Sequence, residues 1–173
     1  NGQTLATGVV EKPADPPSNL INAGAYVFPA AAKDWLDVPE SDRKEYELTD
    51  VLERVCETTD VRAVPFDCWL DVGRPWELLA AIEWKLSEAS RAIKGEVHAT
   101  AECRGAVVVE HGARVDSGVV VEGPARICAG ATLGPNAYVR GATLVGPDAR
   151  VGHAVEVKNS ILMRGEKGGN REY

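Results

Sequence analysis

The sequence predicts a parallel β-helix preceded by a mixed α/β segment, and three observations carry that prediction. First, an aliphatic residue recurs every six positions, at Val97, Cys103, Val109, Val115, Val121, Ile127, Leu133, Val139, Val145, Val151 and Val157, all but one of them Val, Ile or Leu. Second, the fourth residue after each beat is compact, as at Ala101, Ala113, Ala125, Ala131, Ala137, Thr143 and Ala149, and the series ends on Ile161. Third, all nine glycines and all three prolines between Val97 and Leu162 fall one to three places after the beat, where a chain would turn corners. A fixed hexapeptide period is the signature of a parallel β-helix. Three hexapeptides close one triangular coil, with the aliphatic column inside and successive coils stacked in register.

The segment before the repeat reads as strands and helices in alternation. Gly8–Lys12 and Ala25–Phe28 are short apolar runs bounded by turn residues, expected as buried strands. Pro29 opens a first helix through about Leu36, because proline at the first helical position loses no hydrogen bond. Thr49 or Asp50 caps a second helix to about Cys56, with Val51, Leu52 and Val55 on one face. Val61–Pro65 and Cys68–Leu70 supply further strand material. Pro75 begins a third helix to about Ser90, whose Leu78, Leu79, Ile82 and Leu86 recur at helical spacing and are expected to pack where the two regions meet. The resulting division is an α/β region over 1–90, a connector over 91–96, the β-helix over 97–162 and a polar, glycine-rich tail over 163–173.

Composition narrows the classes of function. With 45% hydrophobic and 26% charged residues the chain is ordinary for a globular protein, and it has no apolar run of membrane-spanning length. A net charge of −7 without a Lys/Arg run argues against nucleic acid as a partner, and a small anionic substrate would need local cations. Cys56, Cys68, Cys103 and Cys128 have no paired spacing, which argues against a zinc site or a disulfide framework and fits a reducing cytoplasm. The chain opens on Asn1 without a signal-peptide pattern and stops at Tyr173 just after Gly165–Gly169, so it is expected to be cut from something longer.

Four motifs then stand in order: Val10-Glu11-Lys12-Pro13, Asn22-Ala23-Gly24-Ala25-Tyr26-Val27-Phe28, Glu45-Tyr46-Glu47-Leu48-Thr49-Asp50 and Trp69-Leu70-Asp71-Val72-Gly73. In that order and spacing they resemble the C-terminal half of a sugar-1-phosphate nucleotidylyltransferase. The repeat that follows resembles the left-handed β-helix of the hexapeptide acyltransferases, as in the bifunctional nucleotidylyltransferase and amino-sugar-phosphate N-acetyltransferase proteins. The resemblance implies substrates, a sugar 1-phosphate and a nucleoside triphosphate, and Mg²⁺ as the metal. It implies that Glu11 accepts hydrogen bonds from sugar hydroxyls while Lys12 faces the sugar phosphate. Asn22 would hold a hydroxyl through its amide, with Gly24 letting the backbone come close. Asp71 would bind Mg²⁺ bridging phosphate oxygens.

Each of these residues also has a plainer reading: a solvated Glu–Lys pair at a strand end, an Asn-Ala-Gly turn, and an aspartate capping the turn into the Pro75 helix. The family's glycine-rich triphosphate loop and its second Mg²⁺ carboxylate have no match here, so the 173 residues alone are not expected to transfer a nucleotide. For the β-helix the resemblance implies acetyl-CoA as a possible co-substrate, and a general-base histidine in a His-x-x-Tyr segment that these residues do not contain. His98, His111 and His153 fall at corners and read as solvated turns. The Val-Glu-Val-Lys-Asn-Ser-Ile-Leu-Met coil points to UDP-N-acetylglucosamine synthesis. The alternatives are a monofunctional dTDP-, GDP- or ADP-sugar pyrophosphorylase whose β-helix assembles or regulates it, and a non-catalytic trimerisation module. Outward Val108, Val120 and Leu144 predict a homotrimer built through the β-helix.

Overall fold

The structure is a computed structural model and describes residues 4–10, 12–41 and 44–169. The chain divides into two compact units, residues 1–69 and 70–173.

In the first unit the strands are few. β1 (Leu5–Ala6) lies antiparallel to β2 (Val61–Arg62), with Leu5 opposite Arg62 and Ala6 opposite Val61. Among the described residues no strand forms within Gly8–Lys12, of which Glu11 lies outside them, nor at Ala25–Phe28 or Cys68–Leu70. A strand exists by virtue of a neighbour, and among the described residues of this unit β1 and β2 make the single ladder. Val10 and Val27 are instead exposed, Val27 completely so.

The helix expected from Pro29 is a 3₁₀ helix over Ala30–Trp35, with Pro29 just outside it as the N-cap. α1 (Leu48–Thr58) starts on Glu47 and not on a Thr49 or Asp50 cap; Asp50 sits within its first turn, where a negative charge suits the helix dipole. Its buried face is Val51, Leu52 and Val55, as the spacing predicts. Val51 and Val55 close a small core with Val38, against which Trp35 and Val61 pack.

The second unit opens with α2 (Pro75–Ser87), which has proline in its first turn and ends a few residues before the expected Ser90. Glu77 reaches back so that its Oε2 accepts the Gly73 N–H at 2.8 Å, satisfying a donor at the helix entrance. Fourteen strands follow among the described residues: β3 (Ala92–Ile93), β4 (Glu96–Val97), β5 (Glu102–Arg104), β6 (Val107–Val109), β7 (Arg114–Val115), β8 (Val120–Glu122), β9 (Ala125–Ile127), β10 (Thr132–Leu133), β11 (Tyr138–Arg140), β12 (Thr143–Val145), β13 (Arg150–Val151), β14 (Glu156–Lys158), β15 (Ile161–Leu162) and β16 (Lys167–Gly168). They form three parallel sheets, β4-β7-β10-β13-β16, β5-β8-β11-β14 and β3-β6-β9-β12-β15. Every third strand pairs, which is the topology of a coil with three faces, so the parallel β-helix is present.

The interior is the aliphatic column. Val97, Val115, Leu133 and Val151 stack on one face, and Val109, Ile127, Val145 and Leu162 on another. Ile127, Leu133, Val121 and Val139 are wholly buried, as are Ala125, Ala131 and Ala149 at the compact positions. Thr143 is buried among them because its hydroxyl donates to the Arg140 carbonyl at 2.9 Å.

One position departs from the six-residue beat. Leu162, not the residue after it, stands on Val145, and Ile161 faces outward beside Leu144 instead of occupying a compact interior site. The last coil is a residue shorter because one corner residue, Asn159, stands between Lys158 and Ser160 where the coil below has two, Gly141 and Ala142, between Arg140 and Thr143. The Ser160 hydroxyl donates to Lys158 O at 2.7 Å as Thr143 does to Arg140 O.

At the corners, residues in the left-handed region stack in pairs. Gly141 (φ 65°) lies beneath Asn159 (φ 43°) and Gly130 (φ 72°) beneath Asp148 (φ 60°). In each pair the upper side chain occupies the space that a Cβ on the lower residue would need. Glycine is therefore required below for two reasons, backbone conformation and room, while Asn and Asp tolerate the conformation above.

Candidate functional site

In the first unit the structure brings two of the expected ligand-binding residues together. Asn22 Oδ1 accepts the Gly24 N–H at 3.0 Å, an Asx turn that holds Gly24 at φ 74°. The other end of the amide is also engaged, since Asn22 Nδ2 donates to the Tyr26 hydroxyl. That leaves one N–H and one lone pair of Asn22 for a ligand. Nothing lies within 4 Å of the place a Gly24 side chain would take, so the backbone there is open to close approach. Trp69 Nε1 donates to the Ala23 carbonyl at 3.2 Å and so ties this turn to the end of the unit. Lys12 is exposed and holds a left-handed backbone, φ 43°, immediately before Pro13. Glu11 lies outside the described residues.

Asp71 is the second residue of the second unit. Its carboxylate is exposed and makes no hydrogen bond or ion pair among the described residues. The capping role open to it at the entrance of α2 is filled by Glu77 instead. The Asp71 and Glu77 carboxylates flank Gly73, at 3.8 and 3.6 Å from where a Cβ would stand. Among the described residues no three His, Cys, Asp or Glu side chains converge as a metal cage. A single free carboxylate on an open flank fits Mg²⁺, which keeps most of its waters and shares the rest of its shell with phosphate oxygens. It does not fit a closed structural metal site.

Tyr26, Trp69 and Glu77 were not among the residues expected to matter. Glu77 had a readable signal, an acid three places into a proline-opened helix. The Trp69 and Tyr26 bonds join residues whose pairing no local pattern discloses.

The outer faces of the β-helix carry ordered charge. Arg104 pairs with Glu102 and, at 3.2 Å, with Glu122, while the Tyr138 hydroxyl donates to Glu122 at 2.7 Å and Arg140 pairs with Glu156 at 2.6 Å. The hydrogen bond to Glu122 raises the Tyr138 hydroxyl above its ordinary value. On another face Glu110 accepts the Ala129 N–H at 2.8 Å and Arg126 Nε at 2.7 Å, and these bonds, the backbone one foremost, hold its carboxyl below the ordinary range. Burial raises the nearby Cys128 thiol, which makes it a poor nucleophile.

The corner histidines are exposed. His98 Nδ1 accepts the Thr100 N–H at 3.2 Å, and His153 Nδ1 lies 3.0 Å from Pro135 O. No helix among the described residues is long and apolar enough to cross a membrane.

Comparison with known proteins places this geometry in context. The family model described as nucleotidyl transferase matches residues 1–88, half of the chain, including Asn22, Gly24 and Asp71. A protein of Sulfurisphaera tokodaii named bifunctional sugar-1-phosphate nucleotidylyltransferase/acetyltransferase is 35% identical over 170 residues, covering 96% of this chain and 42% of that protein. Proteins of Methanococcus aeolicus and Methanocaldococcus jannaschii, each named bifunctional protein GlmU, are both 40% identical over 159 residues, covering 91% of this chain and 39% of theirs. The chain thus spans about two fifths of the length of these relatives. A family match over half of the chain, with relatives whose aligned stretch runs through both the Asx turn and the hexapeptide coils, makes the assignment: the chain belongs to the nucleotidyl transferase family.

Proposed function

We propose that this chain is part of a bifunctional enzyme that joins a sugar 1-phosphate to a nucleoside triphosphate and acetylates an amino-sugar phosphate. On this reading residues 1–90 belong to the nucleotidyl-transfer domain and 97–162 to an acyltransferase β-helix, with 91–96 between them and 163–173 as a tail. The observation that carries the reading is the Asn22–Gly24 turn: a pre-set amide with one donor and one acceptor to spare, beside a backbone open to a ligand. Asn22 holds a sugar hydroxyl and Gly24 admits the sugar edge. Glu11 accepts from further hydroxyls, and Lys12 faces the sugar phosphate. Asp71 ligates Mg²⁺, which when bound supplies positive charge to the phosphate oxygens.

The names of the relatives support both transfers, and the Val155–Met163 coil is the ground for assigning the UDP-N-acetylglucosamine route. Acetyl-CoA is the acyl donor of the β-helix, which assembles as a homotrimer in the cytoplasm. The 173 residues alone transfer no nucleotide, because no glycine-rich triphosphate loop is among them.

The test is Asp71→Asn in the longer protein. Pyrophosphate release falls at least about a hundredfold, some 2.7 kcal/mol of barrier, because the metal loses a charged ligand. Acetyl transfer is unchanged in the same preparation. Pyrophosphate release at the parental rate removes Asp71 from the metal site.

A further inference from the structure

One face of the β-helix gathers cations that no carboxylate of the described residues neutralises. Arg150 and Lys167 are partners in register on β13 and β16, exposed and alternating outward from the buried Val151. Neighbouring strands run about 4.8 Å apart, so the two side chains leave the backbone side by side, and like charges so placed repel. Each of the other five arginines of the coils forms an ion pair with a carboxylate. Arg150 and Lys167 form none among the described residues.

The acids of this face stop short of the pair. Up the outward column the residues run Glu96, Arg114, Thr132, Arg150, Lys167, and Arg114 is already matched by Asp116 at 3.0 Å. Above Asp116 the flanking column holds glycines alone, Gly134 and Gly152 among them. Among the described residues the carboxylates nearest in sequence are engaged elsewhere: Glu166 accepts the Met163 N–H at 2.7 Å, and Asp148 pairs with Arg164 at 2.8 Å. A Cβ on Gly134, beside Thr132, would come within 3.0 Å of the next coil's backbone and one on Gly169, beside Lys167, within 2.6 Å of Val155, so no side chain fits at either end of this shelf.

A guanidinium fork, an ammonium and the Thr132 hydroxyl beside a bare shelf make a donor set for a tetrahedral dianion. In a chain of net charge −7 this cation excess is local and not part of a generally basic surface. We infer that Thr132, Arg150 and Lys167 form a binding site for a phosphate dianion, either free or carried as a monoester by a small polyol. The site is separate from the residues assigned to nucleotidyl transfer and stands or falls independently of them.

Isothermal titration calorimetry on the 173-residue chain in low-salt buffer tests this, with inorganic phosphate in one arm and glycerol 3-phosphate in the other. The expected result is saturable binding at one equivalent with a Kd of about 1 mM or tighter. Arg150→Gln and Lys167→Gln should each weaken it at least about tenfold, whereas Arg114→Gln, which removes an already paired charge, should change it less than about twofold. All three substitutions are at exposed positions, and circular dichroism verifies the fold of each. Equal affinity in the two arms identifies free phosphate as the recognised group, and tighter binding of the ester shows that the carrier is read too. Absence of saturation up to about 20 mM of either probe, or equal weakening by Arg114→Gln, overturns the site, the second because it reports general charge.

Discussion

The β-helix and the first 69 residues have similar shares of apolar sequence and bury it very differently. The coils hold one continuous core from Val107 to Leu162, each member at most 8% exposed. The first unit closes a core of three buried residues, while Leu20 stands 81% and Val27 101% exposed. The difference lies in where each element's partner sits in the sequence. A coil strand pairs with the strand one coil away, so any few coils complete each other. Strands of an α/β layer pair across long separations, and a run such as Ala25–Phe28 stays unpaired when no strand lies beside it.

The largest expected effect separates the two regions directly. Ile127→Asp places a carboxylate in a fully buried column and should cost at least about 4 kcal/mol, enough to abolish the cooperative melt of the coils. Val27→Asp should shift the same melt by less than about 0.5 kcal/mol, since Val27 is in solvent already. Arg126→Ala and Tyr138→Ala, one place before the beat, should cost about 1 kcal/mol or less. Circular dichroism melts of the four variants rank them. A Val27→Asp loss as large as that of Ile127→Asp would mean that the first unit buries its apolar residues after all.

A smaller effect probes why the corners stack. Gly141→Ala strains a left-handed backbone and also meets Asn159 in the coil above, and should cost about 2–3 kcal/mol. Gly165→Ala has the same conformational burden, φ 72°, with nothing within 4 Å of the new methyl, and should cost about 1 kcal/mol. The difference between the two isolates the Asn159 contact. Adding Asn159→Gly to Gly141→Ala should recover it in a double-mutant cycle, and additive costs would show that room plays no part.

How much of this was legible in the residues follows the same division. The coils were readable because inward and outward positions repeat at a fixed spacing, so Val115 and Leu133 announce each other. The slip at Leu162 was not, because it comes from a single corner residue, Asn159, standing where the coil below has Gly141 and Ala142, and the beat up to Val157 does not display it. Helix α1 could be read from its own apolar face and α2 from Pro75, although of the expected face Leu78, Leu79, Ile82 and Leu86 only Leu86 is buried and Leu79 is exposed. The strands expected at Gly8–Lys12 could not be settled locally, since strand identity depends on a partner. At the candidate site the Asn22–Gly24 turn is written in three adjacent residues. The bond from Trp69 to Ala23 joins positions too far apart in sequence for any motif to display.

The smallest effect concerns one link between adjacent coils and depends on pH. Glu110 on the corner after β6 accepts the Ala129 N–H and Arg126 Nε, and so fastens one coil to the next. Both bonds favour the ionised carboxylate, which is why its folded pKa lies below the ordinary value, the backbone donor contributing most. A depressed folded pKa means that the stabilisation is complete above the unfolded value, about 4.3, and is lost as pH falls through the lower folded value. Glu110→Gln keeps the shape but removes the charge, and should lower stability by about 1 kcal/mol at pH 7, where the Ala129 and Arg126 donors face a neutral acceptor. The two proteins should converge as the solution is acidified below the ordinary carboxylate range, because the parent's Glu110 is then neutral as well. Thermal melts of the pair at pH 7, 5 and 3 measure the gap directly. A gap that is constant across that range would show that Glu110 acts through packing and not through its charge.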